Sequence, residues 1–300
     1  MTKTSSFGVG RREAHDASGF YERFTAPELS DDSTVALLPD GLANTIVNGD
    51  SRDMSMVPDS SVALVVTSPP YFAGKDYEVA LGEGGVPKDY VDYLLMLRDV
   101  FDECRRVLEP GGRICVNVAN LGRKPFRSLA GDVARILQDD LGLLLRGEVV
   151  WIKAKGAAGN CAWGSFQSPT NPSLRDVTER IVVAAKGRFD RAPKPAVREK
   201  QGLPFQATIS KEEFMALTLD TWEFPPASAK RTGHPAPFPV ELPRRCIELY
   251  TFKDDVVLDP FMGAGTTAEA ALRTGRRYLG FELDPHYVHL AETRLANLEL

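Results

Sequence analysis

Two apolar runs, each closed by a loop that its own residues dictate, constrain this chain more than any other feature. Val62-Ala-Leu-Val-Val-Thr67 runs into Ser68-Pro69-Pro70-Tyr71, and far downstream Asp255-Val-Val-Leu258 runs into Asp259-Pro-Phe-Met-Gly-Ala-Gly-Thr-Thr267. Continuous β-branched runs of this length read as strands buried on both faces, the appearance of central strands in a parallel sheet. Neither proline can donate to a ladder, so the first strand must stop at Thr67. In the second loop, Gly263 and Gly265 permit a tight turn and Thr266 and Thr267 open a helix.

The rest of the chain alternates in the same way. Residues 45–47 read as a strand with a turn at Asn48-Gly49-Asp50. Residues 86–106 have helical spacing, with Tyr90, Tyr93, Leu94, Leu97, Val100, Phe101 and Cys104 on one face and a stop at Glu109-Pro-Gly-Gly112. Strands are expected over 113–118, 148–153, 180–185 and 277–281, and helices over 129–137 and 240–250. Short apolar strands alternating with helices predict an α/β fold built on a doubly wound, mostly parallel sheet. Residues 187–232, with Pro193, Pro195, Pro204, Pro225 and Pro226, break the rhythm and read as an insertion. Residues 1–34 are polar and irregular and read as a flexible arm.

Ligands of such sheets gather beyond the carboxyl ends of the strands, at the switch in strand order. The helix opened by Thr266 offers free N–H groups to an anionic group. Glu282, closing the next strand nineteen positions after Gly263, stands where a carboxylate accepts hydrogen bonds from two ribose hydroxyls.

Composition narrows the class. A hydrophobic content of 43% with 26% charged residues is that of a globular protein. No stretch reaches the roughly 18 apolar residues of a membrane span, and the N-terminus lacks a signal-like apolar core, so no membrane partner and a cytoplasmic location are expected. Cys104, Cys115, Cys161 and Cys246 have neither metal-ligand nor disulfide-framework spacing; no metal is expected, and the cysteines read as reduced packing residues. A nucleophilic cysteine would follow a strand, whereas Cys115 lies inside one. The net charge of −5 weighs against a polyanionic partner, yet eight Lys and Arg between Arg188 and Arg231 outnumber the six Asp and Glu there. A basic face and an ordinary solvated surface both account for that excess.

Together the tetrapeptide and the glycine loop resemble the amino-methyltransferases of DNA, and the catalytic loop preceding the cofactor loop resembles their circularly permuted beta group. The resemblance covers about residues 45 to 290. It implies the S-adenosylmethionine-dependent, Rossmann-like methyltransferase fold, permuted and with a small insertion; S-adenosyl-L-methionine as cofactor; and double-stranded DNA as substrate. It leaves open a restriction endonuclease partner and a homodimer. The implied cofactor residues are Asp259 near the methionine amino group, Phe261 packed on the ligand, Gly263, Gly265, Thr266, Thr267 and Glu282. His234 is a ligand contact or a turn residue, and Asp50 approaches the adenine amino group or caps a turn. The implied organisation is an arm (1–34), a catalytic half (35–186), a target-recognition insertion (187–232) and a cofactor half of the same domain (233–300). The aromatics of residues 19–24 would dock on the body or on DNA.

Ser68, Pro69, Pro70 and Tyr71 are the implied catalytic residues. The amino nitrogen of a base is a poor nucleophile because its lone pair is delocalised into the ring. Carbonyl and hydroxyl acceptors of the Ser-Pro-Pro turn bind its N–H protons and localise that pair, while Tyr71 offers a face on which an extruded base stacks. Within the family, Ser at the first position leans towards N4 of cytosine over N6 of adenine. A catalytically dead binding module is the reading from a different class.

Overall fold

A computed structural model describes residues 29–70, 87, 89–121, 125–153, 169–172, 174, 176–227 and 238–298. They form one eight-stranded sheet: β1 (Thr45–Asn48), β2 (Val62–Thr67), β3 (Leu108–Val118), β4 (Leu144–Ile152), β5 (Thr178–Ala185), β6 (Thr221–Glu223), β7 (Val256–Asp259) and β8 (Arg277–Glu282). The strand order is β1-β8-β7-β2-β3-β5-β4-β6. Every pairing from β1 to β3 is parallel, and β5 alone of these eight strands runs against the others. The expected doubly wound, mostly parallel sheet is therefore present. The central strands β2 and β7 are buried along their whole length, which is why each reads as an unbroken apolar run.

Helices cover both faces. On one, α1 (Tyr90–Val107) presents Tyr93, Leu97, Val100, Phe101 and Cys104; its first turn is capped by Asp89, whose carboxylate accepts the N–H groups of Val91 and Asp92. The same face carries α2 (Leu129–Arg135), which passes into a π-helical turn over Ile136–Asp140. On the other lie α5 (Glu241–Tyr250) and α6 (Thr266–Arg273). Between α2 and α5 in sequence come α3 (Pro195–Lys200) and α4 (Lys211–Leu217), and α7 (Pro285–Ala296) follows β8. No helix of the described residues is long and apolar enough to cross a membrane.

Two expectations need correction. The Glu109-Pro-Gly-Gly112 stop does end α1, but it is not a turn ahead of the strand. It belongs to β3 as a bulge, the register with β2 jumping from Val62↔Leu108 to Leu64↔Arg113. Gly111 sits there at φ 76°, where a Cβ would overlap the carbonyl of Asp190.

The basic stretch is the second. Arg191 is nearly buried and Arg198 wholly so, and they are not part of a surface. Arg191 reaches Glu109 at 2.7 Å and Asp255 at 2.8 Å, and Arg198 reaches Glu109 at 2.9 Å. Glu109 lies at the start of β3, next to Leu108, and Asp255 immediately precedes β7, so this ion cluster lies under the amino ends of the parallel strands. The start of the insertion is thus bolted to the end of the sheet opposite the two signature loops. Residues 29–34, expected in the flexible arm, are tied down as well: Ser30 N–H donates to the Gly187 carbonyl at 2.6 Å, and Arg188 donates to the Asp32 carbonyl.

Candidate active site

The connections set where a ligand can bind. From β2 the chain moves to β3 on one side, and from β7 it moves to β8 on the other. The switch in strand order therefore lies between β7 and β2, which pair in parallel at Leu64↔Val257 and Val65↔Leu258. Ser68-Pro69-Pro70 leaves one of these strands and Pro260-Phe261-Met262-Gly263 leaves the other, side by side at the carboxyl edge. Pro69 is buried, and Ser68 and Pro70 are half-buried. Tyr71 and His234 lie outside the described residues.

One carboxylate joins the two loops. Asp259 is wholly buried; its Oδ1 accepts the hydroxyl of Thr67 at 2.7 Å and the N–H of Phe261 at 3.1 Å, and its Oδ2 accepts the hydroxyl of Thr267 at 2.6 Å. Burial pushes its pKa up from 3.8 to about 6, the hydrogen bonds from Thr267, Thr67 and Phe261 opposing the shift. The side chain expected to face a methionine amino group is here directed into the protein, fastening the end of β2 to the end of β7. The hydroxyl of Thr267 is engaged in the same brace, and that of Thr266 accepts from Arg294 at 3.1 Å. These threonines therefore present their backbone, not their hydroxyls, at the opening of α6.

Gly265 caps α6 in the left-handed region, at φ 78°. A Cβ there would come within 2.9 Å of the Ala291 methyl group, so α7 packs directly on the turn. Arg294, also on α7, donates to the Ala264 carbonyl at 3.1 Å and pairs with Glu269 of α6 at 2.6 Å. Nothing in the loop motif pointed to this arginine, since it lies a helix and a strand away in sequence.

Glu282, at the end of β8, holds the other side of the loop. Its Oε2 accepts the Gly263 N–H at 2.8 Å and its Oε1 accepts the Asp284 N–H at 3.0 Å, while burial raises its pKa. Each oxygen keeps one lone pair in reserve, which fits the two adjacent hydroxyls of a ribose. β1 docks beside it, with the Gly49 N–H donating to the Glu282 carbonyl at 3.1 Å. Asp50 follows, half-buried; its Oδ1 accepts the Arg52 N–H at 2.9 Å, so it caps the turn, and both oxygens pair with the Arg52 side chain. Phe261 is half-buried against the cluster on the α1 face. The polar set, with loop N–H groups at a helix start and the Glu282 carboxylate at the end of the flanking strand β8, matches the chemistry of a nucleoside bearing an amino-acid tail.

Beyond β2 the carboxyl edge continues into polar groups of β3, β5 and β4. Asn117 donates to Glu179 at 2.6 Å, and Lys153 pairs with the other Glu179 oxygen at 2.8 Å. Trp151, for which core packing and a pocket wall were both open, is core: its indole N–H donates to the Phe224 carbonyl at 2.9 Å and its ring stacks on Phe224 at 5.0 Å. Cys104, Cys115 and Cys246 are free and buried, and burial drives the Cys115 thiol well above its ordinary pKa, away from nucleophilic use.

Comparison with known proteins gives the same outline. Residues 62–293 match the family model N6_N4_Mtase, described as DNA methylase. The type II methyltransferase M.MjaI of Methanocaldococcus jannaschii is 31% identical over 283 residues, covering 83% of this chain and 90% of that protein. The crystal structure of TTHA0409 from Thermus thermophilus, described as a candidate DNA modification methylase and complexed with S-adenosyl-L-methionine, superposes with a TM-score of 0.63 at 32% identity, covering 84% of this chain and 95% of that one. The PvuII DNA methyltransferase, cytosine-N4-specific, shares the fold at a TM-score of 0.63 and 20% identity, covering 89% of this chain and 92% of that one.

Proposed function

This chain belongs to the DNA methylase family, and from that premise we propose that it is a site-specific methyltransferase that moves a methyl group from S-adenosyl-L-methionine to the N4 amino group of a cytosine turned out of double-stranded DNA. The observation that carries the reading is the Thr67–Asp259 hydrogen bond, which brings the Ser-Pro-Pro turn and the glycine loop to one point at the switch in strand order. A methyl donor in one loop and an amino group in the other would meet there.

S-Adenosylmethionine supplies an electrophilic methyl group on a sulfonium. Gly263 to Thr267 would hold its amino-acid end at the start of α6, and Glu282 its ribose. The catalytic task of the chain is on the base: Ser68 and the carbonyls of the proline turn accept the amino N–H protons, so the nitrogen lone pair turns out of conjugation and towards the methyl carbon. The N–C bond would form as the methyl–sulfur bond breaks, the sulfonium leaving as a neutral thioether and the surplus N–H proton passing to solvent, with no covalent bond to the enzyme. Positioning and polarisation supply the rate, and extrusion of the base is required because its amino group is otherwise paired.

Ser68, in place of an acidic residue, supports cytosine. N6 of adenine is the second reading within the same chemistry. The buried ion cluster ties the start of the insertion to the far end of the sheet, which supports assigning target recognition to the later part of the insertion. The test is mass spectrometry of nucleosides from unmethylated DNA incubated with the protein and labelled cofactor. Labelled N4-methylcytosine is the expected result; labelled N6-methyladenine would replace the base, and no label would overturn the activity. Tyr71→Ala should abolish transfer and Cys115→Ala retain it.

A further inference from the structure

Among the described polar groups of the carboxyl edge, one buried acceptor lacks a donor. Asn117 is 1% exposed, its Nδ2 donates to Glu179 at 2.6 Å, and its Oδ1 meets no hydrogen-bond donor of the described residues. Reversing the amide would set its carbonyl against the Glu179 carboxylate, so the assignment of nitrogen and oxygen is fixed by that neighbour. Buried acceptors without a donor are rare in folded proteins, and one beside a reaction site calls for an explanation.

Its place in the sheet supplies one. β2 and β3 pair in parallel at Val66↔Cys115 and Thr67↔Val116, and the next step of that register sets Ser68 beside Asn117. Leu64, Val66 and Cys115 share one face of the sheet, and Ser68 and Asn117 continue that face at its carboxyl edge. With Nδ2 engaged by Glu179 on β5, Oδ1 is the amide atom that remains for a donor arriving at this edge. Lys153 pairs with the remaining Glu179 oxygen at 2.8 Å and holds that carboxylate in place.

We propose that Asn117 is a target-base contact, its Oδ1 accepting one N–H of the exocyclic amino group that the Ser-Pro-Pro turn receives, and that Glu179 and Lys153 are positioning residues that hold the amide in this orientation. The inference rests on the methyl-transfer reading above and adds a selector to it. An acceptor fixed at this point attracts bases with an amino group on the edge and repels those with a carbonyl there, so cytosine and adenine are admitted and thymine is refused. The missing donor of the free protein arrives with the substrate.

The test uses the full chain, labelled S-adenosylmethionine and unmethylated DNA. Asn117→Leu, close in shape and without the acceptor, should lower kcat roughly 10-fold or more and leave the Kd for S-adenosylmethionine within about 2-fold; Tm should fall because Glu179 loses a donor, with kcat read on the protein that remains folded at the assay temperature. Asn117→Asp keeps an oxygen at the acceptor position and should recover part of the lost rate. Should Asn117→Leu fail to fold, Glu179→Gln carries the test, with a smaller fall in kcat at unchanged cofactor affinity. An unchanged kcat in Asn117→Leu, or a fall matched by a fall in cofactor affinity, would overturn the assignment of Asn117 alone. No label on DNA with the natural protein would overturn the methyl-transfer reading itself, and this proposal with it.

Discussion

Thr67→Val removes one hydroxyl from the centre of the molecule while nearly conserving shape, and its cost should depend on pH. The hydroxyl donates to a fully buried carboxylate, Asp259, at 2.7 Å. A hydrogen bond to an ionised partner is worth about 1.5–3 kcal/mol and one to a neutral partner about 1 kcal/mol. Burial has raised the Asp259 pKa from 3.8 to about 6, which is about 3 kcal/mol against the ionised form. The folded state thus binds this proton more tightly than the unfolded state. The stability linked to it is complete below about pH 4 and is lost as pH rises through about 6. The Thr67 hydroxyl opposes that loss, so removing it should cost about 2–3 kcal/mol at pH 8 and about 1 kcal/mol at pH 5. Urea denaturation of both proteins at the two pH values measures this directly. A penalty equal at both, or below about 0.5 kcal/mol at pH 8, would refute the brace as an ionised, load-sharing contact.

Two further outcomes follow from the same geometry. In Glu282→Gln a single acceptor oxygen must serve two N–H groups, those of Gly263 and Asp284; calorimetric titration with S-adenosylmethionine should show affinity lower by roughly 10- to 100-fold, and an unchanged affinity would remove Glu282 from the cofactor site. Arg198→Met leaves Glu109 and Asp255 short of one buried partner and should destabilise by about 3–5 kcal/mol in denaturant, yet methyl transfer per folded molecule should stay within about 2-fold because the cluster lies at the far end of the sheet.

Seven of the eight strands, their mostly parallel arrangement and both signature loops were legible because each is written locally; β6, three residues inside the stretch read as an insertion, was not. Five consecutive apolar residues and a threonine, with two prolines just beyond Ser68, leave β2 no other form, and the glycines before Thr266 mark the start of α6. What a polar side chain bonds to was not legible, because its partner is distant in sequence. Asp259, Thr266 and Thr267 look ligand-facing in the motif, yet their side chains are claimed by Thr67, Arg294 and one another across the sheet. A count of charges made Arg191 and Arg198 part of a basic stretch, but no count reveals Glu109 and Asp255 waiting beneath β3 and β7. Asn117 hid for the opposite reason: inside Arg113-Ile-Cys-Val-Asn117 it reads as one more strand residue, and only the register with β2 brings it beside Ser68.

The strand order also dictates how the molecule comes into being. β1 and β2 are the first of the eight strands to leave the ribosome, yet in the finished sheet they are kept apart by β8 and β7, which are synthesised last of the eight. Until residue 282 has emerged, β1 lacks its neighbour β8, and until β7 has emerged, β2 lacks one of its two neighbours. The nascent chain therefore carries bare, apolar strand edges for most of its synthesis, with the distant pairings deferred to the last moments. A ribosome that stops before β7 releases not a smaller enzyme but a sheet with its middle missing.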